Sequence, residues 1–241
     1  MSLVLFVAIV FLAAFLQTLS GFGFALVVMP LITIAMGLRT AAPLVALAGL
    51  TLYTVNLIRY HRRINLGEVL RLAAASAPGI PVGIWILVNV DESVIRPLLG
   101  LILIAYAVSR VVHPAAAHPH SHRWVYPAGF VAGCLSGAYN TPGPPIILYG
   151  SLRQWPKEEF RAVLQALFFL NATLTVASHV VAHSLTPAVL TSYAYAAPAL
   201  LLGVLAGSCV DSRVNKDYFR TLVTVMILIL GLSLVLDFAG V

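Results

Sequence analysis

The sequence predicts an all-α polytopic membrane protein made of two inverted repeats of about five membrane segments each. Three observations lead to this prediction. Of the 241 residues, 61% are hydrophobic and only 9% are charged, whereas about 25% of the residues in soluble domains are charged. Apolar runs follow one another along the whole chain, with short polar loops between them. Finally, motifs of the first half return in the same order in the second half.

The first half, residues 1–112, contains five apolar segments. They are Leu3–Leu19, Ala25–Met36, Ala41–Ile58, Leu66–Val88 and Val94–Val112. The first is about long enough to cross a hydrocarbon core of about 30 Å. The second would cover only roughly 18 Å at about 1.5 Å per residue, so we predict a half-helix there. The sequence Ser-Gly-Phe-Gly at residues 20–23 predicts a break between these two segments, because glycine adopts backbone conformations that other residues avoid.

A polar linker, residues 113–123, separates the halves and is predicted to be cytoplasmic. The second half, residues 124–241, also contains five apolar segments. They are Trp124–Leu135, Ile146–Leu152, Phe160–Val181, Leu190–Val210 and Phe219–Phe238. The second of them is again short, so both repeats are predicted to begin with broken helices or half-helices.

A run of helix-hostile residues separates the first two segments of the second half. Residues 140–145 read Asn-Thr-Pro-Gly-Pro-Pro, and proline both removes a backbone donor and clashes with the preceding helical turn. Lipid cannot solvate bare amide groups, so a break at membrane depth is tolerated only inside protein or beside a polar cavity. This break is therefore the first candidate for the working site.

Seven residues of the first half recur in order in the second half, which indicates a duplication. The pairs are Ser20 and Ser136, Gly21 and Gly137, Pro30 and Pro145, Asn56 and Asn171, Gly79 and Gly203, Gly83 and Gly207, and Arg96 and Arg220. The offset is 115 or 116 for the first four pairs and 124 for the last three. A small insertion near residue 184 accounts for this change.

The distribution of positive charge decides how the two repeats are oriented. If each repeat has five segments, twelve of the lysines and arginines fall on one face and only Arg39 and Arg96 on the other. If each repeat has four, the split is six to eight. Membrane proteins concentrate Lys and Arg in short cytoplasmic loops. We therefore predict inverted repeats, with both termini outside the cytoplasm.

Inverted repeats with broken helices are typical of secondary transporters, whose substrate sites lie near the membrane midplane where the repeats meet. A half-helix beginning near Pro144 would point its positive dipole end and free N–H groups at the site, which suits an anion. The candidate substrate-binding residues are Gln17, Ser20, Gly21, Gly23, Ser136, Gly137, Asn140, Thr141, Gly143 and Pro144. Asn56 and Asn171 are secondary candidates, since amides in membrane helices also serve interhelical hydrogen bonding. For the residues of the breaks, capping and close packing remain the alternative roles.

Several other function classes lack support in the sequence. All eight carboxylates lie at segment ends or in loops, whereas intramembrane proton relays usually place one within a span. No hydrolase motif, Walker motif or cofactor fingerprint is present, so we predict neither an enzyme nor a cofactor. The formal net charge of +6 resides in loops between spans, which indicates membrane topology rather than nucleic-acid binding. The predicted partners are the lipid bilayer and a small anion, with a homodimer left open.

Histidines in the linker support an alternative hypothesis for the function. His113, His118, His120 and His122, together with Cys134 and Cys209, leave a metal-handling or assembly-accessory membrane protein as the alternative. No carboxylate or cysteine lies near the histidines in the sequence, so we predict a solvated loop and no metal site. An anion channel is a third possibility.

Three motifs together resemble the TauE/SafE sulfite exporter family over essentially the whole chain. They are Leu-Ser-Gly-Phe-Gly-Phe at 19–24, Pro-Gly-Ile-Pro-Val-Gly at 78–83 and Leu-Ser-Gly-Ala-Tyr-Asn-Thr-Pro-Gly-Pro-Pro at 135–145. The resemblance implies a bacterial or archaeal inner-membrane transporter, often an exporter, of sulfur-containing anions such as sulfite, sulfonates or sulfoacetate. Family members often carry several glycines where this chain has Ala-Tyr-Asn-Thr at 138–141, so a more polar or differently shaped pocket is expected.

Overall fold

The computed structural model describes residues 2–60, 64–111, 122–153 and 155–210, together with positions 225, 228–229, 231–232 and 235–236. Within these residues the regular secondary structure is helical, and there is no strand. Four helical stretches are long and apolar enough to cross a membrane, namely Leu38–Arg59, Leu66–Asn89, Glu158–Val181 and Pro187–Val210. The prediction of an all-α polytopic membrane protein is thereby confirmed.

Ten α-helices account for the described chain up to residue 210. They are α1 Leu3–Ser20, α2 Phe24–Met36, α3 Leu38–Tyr60, α4 Leu66–Ser76, α5 Gly79–Asn89, α6 Glu92–Val111, α7 Val125–Tyr139, α8 Gly143–Leu152, α9 Lys157–Val181 and α10 Pro187–Val210. A single 3-10 turn, His122–Trp124, precedes α7. Most of the predicted linker and most of the predicted last segment, Phe219–Phe238, lie outside the described residues.

Glycine and proline place the boundaries between consecutive helices. α1 ends where Gly21 turns left-handed at φ 84°, and α2 begins after Gly23 at φ 112°, conformations open to glycine at little cost. The pair Ala77 and Pro78 separates α4 from α5 within one predicted span. α8 begins at Gly143, earlier than the predicted Ile146, because prolines in a first helical turn lose no intrahelical hydrogen bond.

Helices of the two halves pack against each other through glycines. α7 lies parallel to α4 and α5, so that Gly129 faces Leu72 and Gly83 faces Cys134 farther along the pair. On the other side of the bundle, α10 packs against α1 through Gly203 and Gly207, which meet the α1 backbone near Phe11 and Phe15. Small residues let membrane helices approach this closely.

Adding a single methyl group at this interface is expected to be costly. A Cβ on Gly133 would lie 2.8 Å from the carbonyl carbon of Ser76, so Gly133→Ala forces α7 away from α4 and should lower stability by about 1–3 kcal/mol. Thermal unfolding of the purified protein in detergent measures this loss. Gly67→Ala is the matched control, because its Cβ would find only Asn65 Oδ1, at 3.6 Å. An unchanged melting temperature for Gly133→Ala would contradict the close α4–α7 packing.

The centre of the bundle is the pair α3 and α9, one helix from each half. Their rings meet where Tyr53 lies against Phe168, with centroids 5.3 Å apart. α3 also contacts α2 and α10, and α9 also contacts α4 and α5. Both breaks in the chain face this central pair, which places α3 and α9 beside any site the breaks form.

One end of the bundle carries a group of arginines, and we call it the basic end: Arg59, Arg71, Arg153 and Arg161. Arg59 Nη1 donates to Ser208 Oγ at 2.9 Å, so α3 and α10 both end there. Arg161 Nη2 donates to the carbonyl of Leu19 at 2.8 Å, so α1 also ends where α9 begins.

At the opposite end Arg39 Nη2 donates to the carbonyl of Val88 at 3.1 Å. The Asp91 side chain accepts from the Ser93 backbone N–H at 2.9 Å. This bond, the Ser93 hydroxyl and the nearby Arg39 lower the pKa of Asp91.

Candidate functional site

The first break, residues 21–23 between α1 and α2, is bridged by hydrogen bonds from Gln17 of α1. Gln17 is fully buried, its Oε1 accepts from the Phe24 backbone N–H at 2.8 Å, and its Nε2 donates to the Gly21 carbonyl at 3.3 Å. Gln17 therefore caps the start of α2. Ser20 is the last residue of α1, and Gly21 and Gly23 form the turn.

Helix α9 of the second half supplies further partners to this break. Gln165 Nε2 donates to the Gly21 carbonyl at 2.7 Å, beside the Arg161 bond to Leu19. Neither α9 residue was among the site residues predicted from the sequence. A signal was present, since Arg161, Gln165, Thr175 and His179 recur on one face of α9, and the last three are fully buried.

The second break is a tight left-handed turn after α7. Asn140 adopts φ 55° and ψ 25°, and its backbone N–H donates to the Ser136 carbonyl at 2.9 Å. The next N–H, of Thr141, donates to the Leu135 carbonyl at 3.2 Å. Asn140 Nδ2 donates to the Ala42 carbonyl of α3 at 2.7 Å. The asparagine thus ends α7 and ties it to the first half of the chain.

Thr141 is the unusual residue of this break. It is 2% exposed, and its hydroxyl oxygen has no hydrogen-bond partner in the part of the chain that the structure describes. Buried hydroxyls nearly always find a partner, so this one has capacity for a ligand or a water.

The start of α8 offers fewer backbone N–H donors than predicted from the sequence. Among residues 142–145 only Gly143 carries a backbone N–H, because the other three are prolines. Pro144 follows it in the first helical turn. The positive end of the helix dipole remains beside the break, with one N–H in place of the predicted set.

A small cavity lies between this break and the central helices. Its volume is about 10 Å³, enough for roughly one water molecule. Its lining residues are Val45, Ala46, Gly49 and Tyr53 of α3, Ser136, Asn140 and Pro142 around the break, and Phe168 and Ala172 of α9. None of these lining residues is charged. At this volume the cavity has no room for a polyatomic anion.

The remaining predicted site residues fall into different roles. Ser136 and Gly137, expected within the break, lie inside α7, because the helix continues to Tyr139. The Ser136 hydroxyl lines the cavity and lies 3.1 Å from Thr175 Oγ1. Gly137 packs against the backbone of α5 and is not among the lining residues.

The two secondary candidates differ from each other. Asn171 Oδ1 accepts from Ser76 Oγ at 2.7 Å across the two halves, which is the interhelical role that such amides often have. Asn56 is 1% exposed, and neither of its side-chain amide atoms has a partner in the described residues. The structure therefore places Ser136, Asn140, Thr141 and Gly143 near the second break, whereas the first break is a separate turn bonded by Gln17 and by α9.

Within the described residues no group of three or more His, Cys, Asp and Glu side chains could hold a metal ion. Cys134 is half-buried, Cys209 is exposed, and both are free thiols. The predicted histidine tract falls almost entirely outside the described residues.

The chain is similar to known proteins over most of its length. The family model described as "Sulfite exporter TauE/SafE" matches residues 6–234. A protein of Cupriavidus necator named "Probable sulfite/organosulfonate exporter TauE" is 26% identical over 200 residues, covering 80% of this chain and 78% of that relative. No solved structure matches the chain. The resemblance predicted from the three motifs is confirmed, and this chain belongs to the TauE/SafE sulfite exporter family.

Proposed function

We propose that this protein is a secondary transporter that exports small, singly charged sulfur-containing anions across the inner membrane of a bacterium or archaeon. The substrate binds at the second break, to Ser136, Asn140, Thr141 and Gly143. The observation that carries the proposal is the buried Thr141 hydroxyl without a protein partner, next to a cavity at the start of a helix. The family membership and the name of the Cupriavidus necator relative support the sulfur-anion class.

The architecture proposed for this transporter is a pair of inverted repeats, residues 1–112 and 124–241, joined by the cytoplasmic linker. Tyr53 and Phe168 differ by the same offset of 115 as other repeat pairs, and they touch each other. Equivalent residues in contact lie on a symmetry axis, so this pair supports an axis between α3 and α9. The basic end supports inversion, since α1 ends there whereas α7 begins there beside α4.

The chemistry of the cavity favours one negative charge over two. The donor side chains among its lining residues are the hydroxyls of Tyr53 and Ser136 and the amide of Asn140, and no lysine or arginine is among them. Burying an ion without an opposite charge is costly, and this cost rises with the square of the charge. Tyr53, Phe168 and Val45 give the cavity apolar walls, which suit a short organic group. A sulfonate monoanion satisfies both conditions better than a dianion such as sulfate.

The membrane potential supplies a driving force for export. An inside-negative potential favours anion efflux by about 2.3 kcal/mol per charge for every 100 mV. Export of a monoanion therefore needs no coupled ion. A cavity of about 10 Å³ is not an open pore, which favours a carrier over a permanently open anion channel.

Transport in proteoliposomes tests the proposal. With an applied potential, ethanesulfonate should cross at least about tenfold faster than sulfate, which equals about 1.4 kcal/mol of discrimination. Unlabelled ethanesulfonate inside the vesicles should accelerate uptake of the labelled form, since counterflow distinguishes a carrier from a channel. Sulfonate at one hundred times its dissociation constant should also stabilise the protein by about 2.7 kcal/mol. Absence of both transport and stabilisation with any sulfur anion would refute the proposed substrate class.

A further inference from the structure

A buried carboxylate lies at the basic end of the bundle, in the first turn of α4. Glu68 is only 4% exposed. Its Oε2 accepts a hydrogen bond from the Tyr149 hydroxyl at 3.1 Å. Its Oε1 lies 3.6 Å from Arg153 Nη2 and 3.8 Å from Arg71 Nη1. Among the described residues, its contacts therefore include the Tyr149 hydroxyl and the guanidinium groups of Arg153 and Arg71.

These contacts join the two halves of the chain. Glu68 belongs to the first half, whereas Tyr149 is near the end of α8 and Arg153 follows it in the second half. A neighbouring contact has the same character, because Asn65 Nδ2 donates to Glu159 Oε1 of α9 at 2.8 Å. The basic end is therefore closed by polar contacts that cross between the halves.

Helix α8 links this cluster to the proposed substrate site. Its first residue, Gly143, is at the second break, and its last turn carries Tyr149. Ten residues at about 1.5 Å each make α8 roughly 15 Å long, so a shift of one end is transmitted to the other. Tyr149 packs edge-on against Trp155, with ring centroids 5.5 Å apart, which couples the end of α8 to the turn before α9.

The electrostatics of the cluster allow it to open and close. The Glu68 side chain is 5% exposed, but that of Arg153 is 23% and that of Arg71 is 51% exposed. The guanidinium groups are already partly hydrated and return to water on separation, whereas the buried Glu68 carboxylate must gain water as this end opens. Because a buried charge without a partner is costly, the contacts to Glu68 favour the state in which the basic end is closed.

We propose that Glu68, Tyr149 and Arg153 form a latch that closes the basic end of the transporter and opens when the substrate site is exposed to that side. The proposal rests on the proposed function, because a latch has a role only in a protein that alternates access. The Glu68 carboxylate is central to the latch, since Tyr149 and Arg153 of the second half both contact it. Loss of its charge is expected to shift the protein toward the state that is open at the basic end.

Side-specific labelling tests the latch without any transported substrate. Ala172→Cys places a reporter thiol in the cavity, in a background in which Cys134 and Cys209 are replaced by serine. A membrane-impermeant maleimide is then added from either side of oriented membrane vesicles. Glu68→Gln should raise the labelling rate from the basic end at least about fivefold, because the rate follows the fraction of molecules open to that side.

Two further variants sharpen the test. Tyr149→Phe keeps the ring and removes only the hydrogen bond, so a smaller increase from the same side is expected. Asp91→Asn makes the same carboxylate-to-amide change at the opposite end, where Asp91 is exposed, and should leave labelling from the basic end unchanged. If Glu68→Gln fails to fold, Tyr149→Phe and Arg153→Gln decide the question.

The outcomes separate the latch from the proposed substrate. Unchanged labelling in the folded latch variants would overturn the latch, even if the wild-type protein carries ethanesulfonate. An equal increase in Asp91→Asn would also overturn it, because the effect would then be a general loosening. Faster labelling from the basic end without any sulfonate transport would support the latch and reject the substrate class.

Discussion

Thr141→Val is expected to reduce sulfonate transport at least about tenfold while leaving the protein as stable as the wild type. The Thr141 hydroxyl has no partner in the described residues, so its removal breaks no hydrogen bond to the protein there. A bound anion would lose a donor, and hydrogen bonds to charged groups contribute about 1.5–3 kcal/mol. Since about 1.4 kcal/mol corresponds to a factor of ten, the expected loss begins at tenfold. Initial uptake rates in proteoliposomes and thermal unfolding in detergent measure the two quantities.

Thr33→Val is the matched control for this substitution. Thr33 is also fully buried, and its hydroxyl also has no partner in the described residues. It lies on α2, whereas Thr141 lies at the second break, between α7 and α8. Transport by Thr33→Val should therefore remain at the wild-type rate. Equal rates for Thr141→Val and the wild type would exclude the second break as the substrate site.

The positions of the helices followed from local chemistry. Composition predicted the membrane class, and the glycines at 21 and 23 ended α1 where the sequence indicated. The predicted break lies between α7 and α8, but both helices extend closer to it than predicted, because helix-hostile residues are hostile only to a helix interior. Pro144 and Pro145 sit in the first turn of α8, where a missing N–H costs nothing. Because these residues are prolines, most of the backbone N–H donors expected at the start of α8 are absent.

The partners of the breaks could not be predicted in the same way. Gln165 and Arg161 bond to carbonyls of the first break across more than 140 residues of sequence. Nothing local to Gly21 indicates which distant helix will cover it. The polar face of α9 marks that helix as facing protein or a cavity, but periodicity does not identify the partner.

Glu68 illustrates the same limit for charged residues. At the end of an apolar segment, a carboxylate is expected to be hydrated. Its burial depends on the end of α8, which brings Tyr149 and Arg153 over it from the other half of the chain. The latch is therefore a property of how the repeats meet, and neither repeat contains it alone.

The left-handed turn at Asn140 predicts an inverted order of stability among its substitutions. Asn140→Gly and Asn140→Ala both remove the side-chain hydrogen bond to the Ala42 carbonyl, which costs about 0.5–1.5 kcal/mol. The positive φ destabilises the alanine variant by about 1–2 kcal/mol more, whereas glycine adopts this φ without that cost. Asn140→Gly should therefore unfold at a higher temperature than Asn140→Ala.

Asn171 provides the matched comparison because it lies within the regular helix α9 and also bonds across the halves. There the order should be the usual one, with Asn171→Ala more stable than Asn171→Gly by about 1 kcal/mol. Thermal unfolding of the four variants under one condition measures both orders. If alanine were the better substitute at both positions, the left-handed turn would be wrong, and α7 would continue toward α8 without the break that the proposed site requires. If glycine were better only at position 140, the turn itself would be established independently of any transport assay.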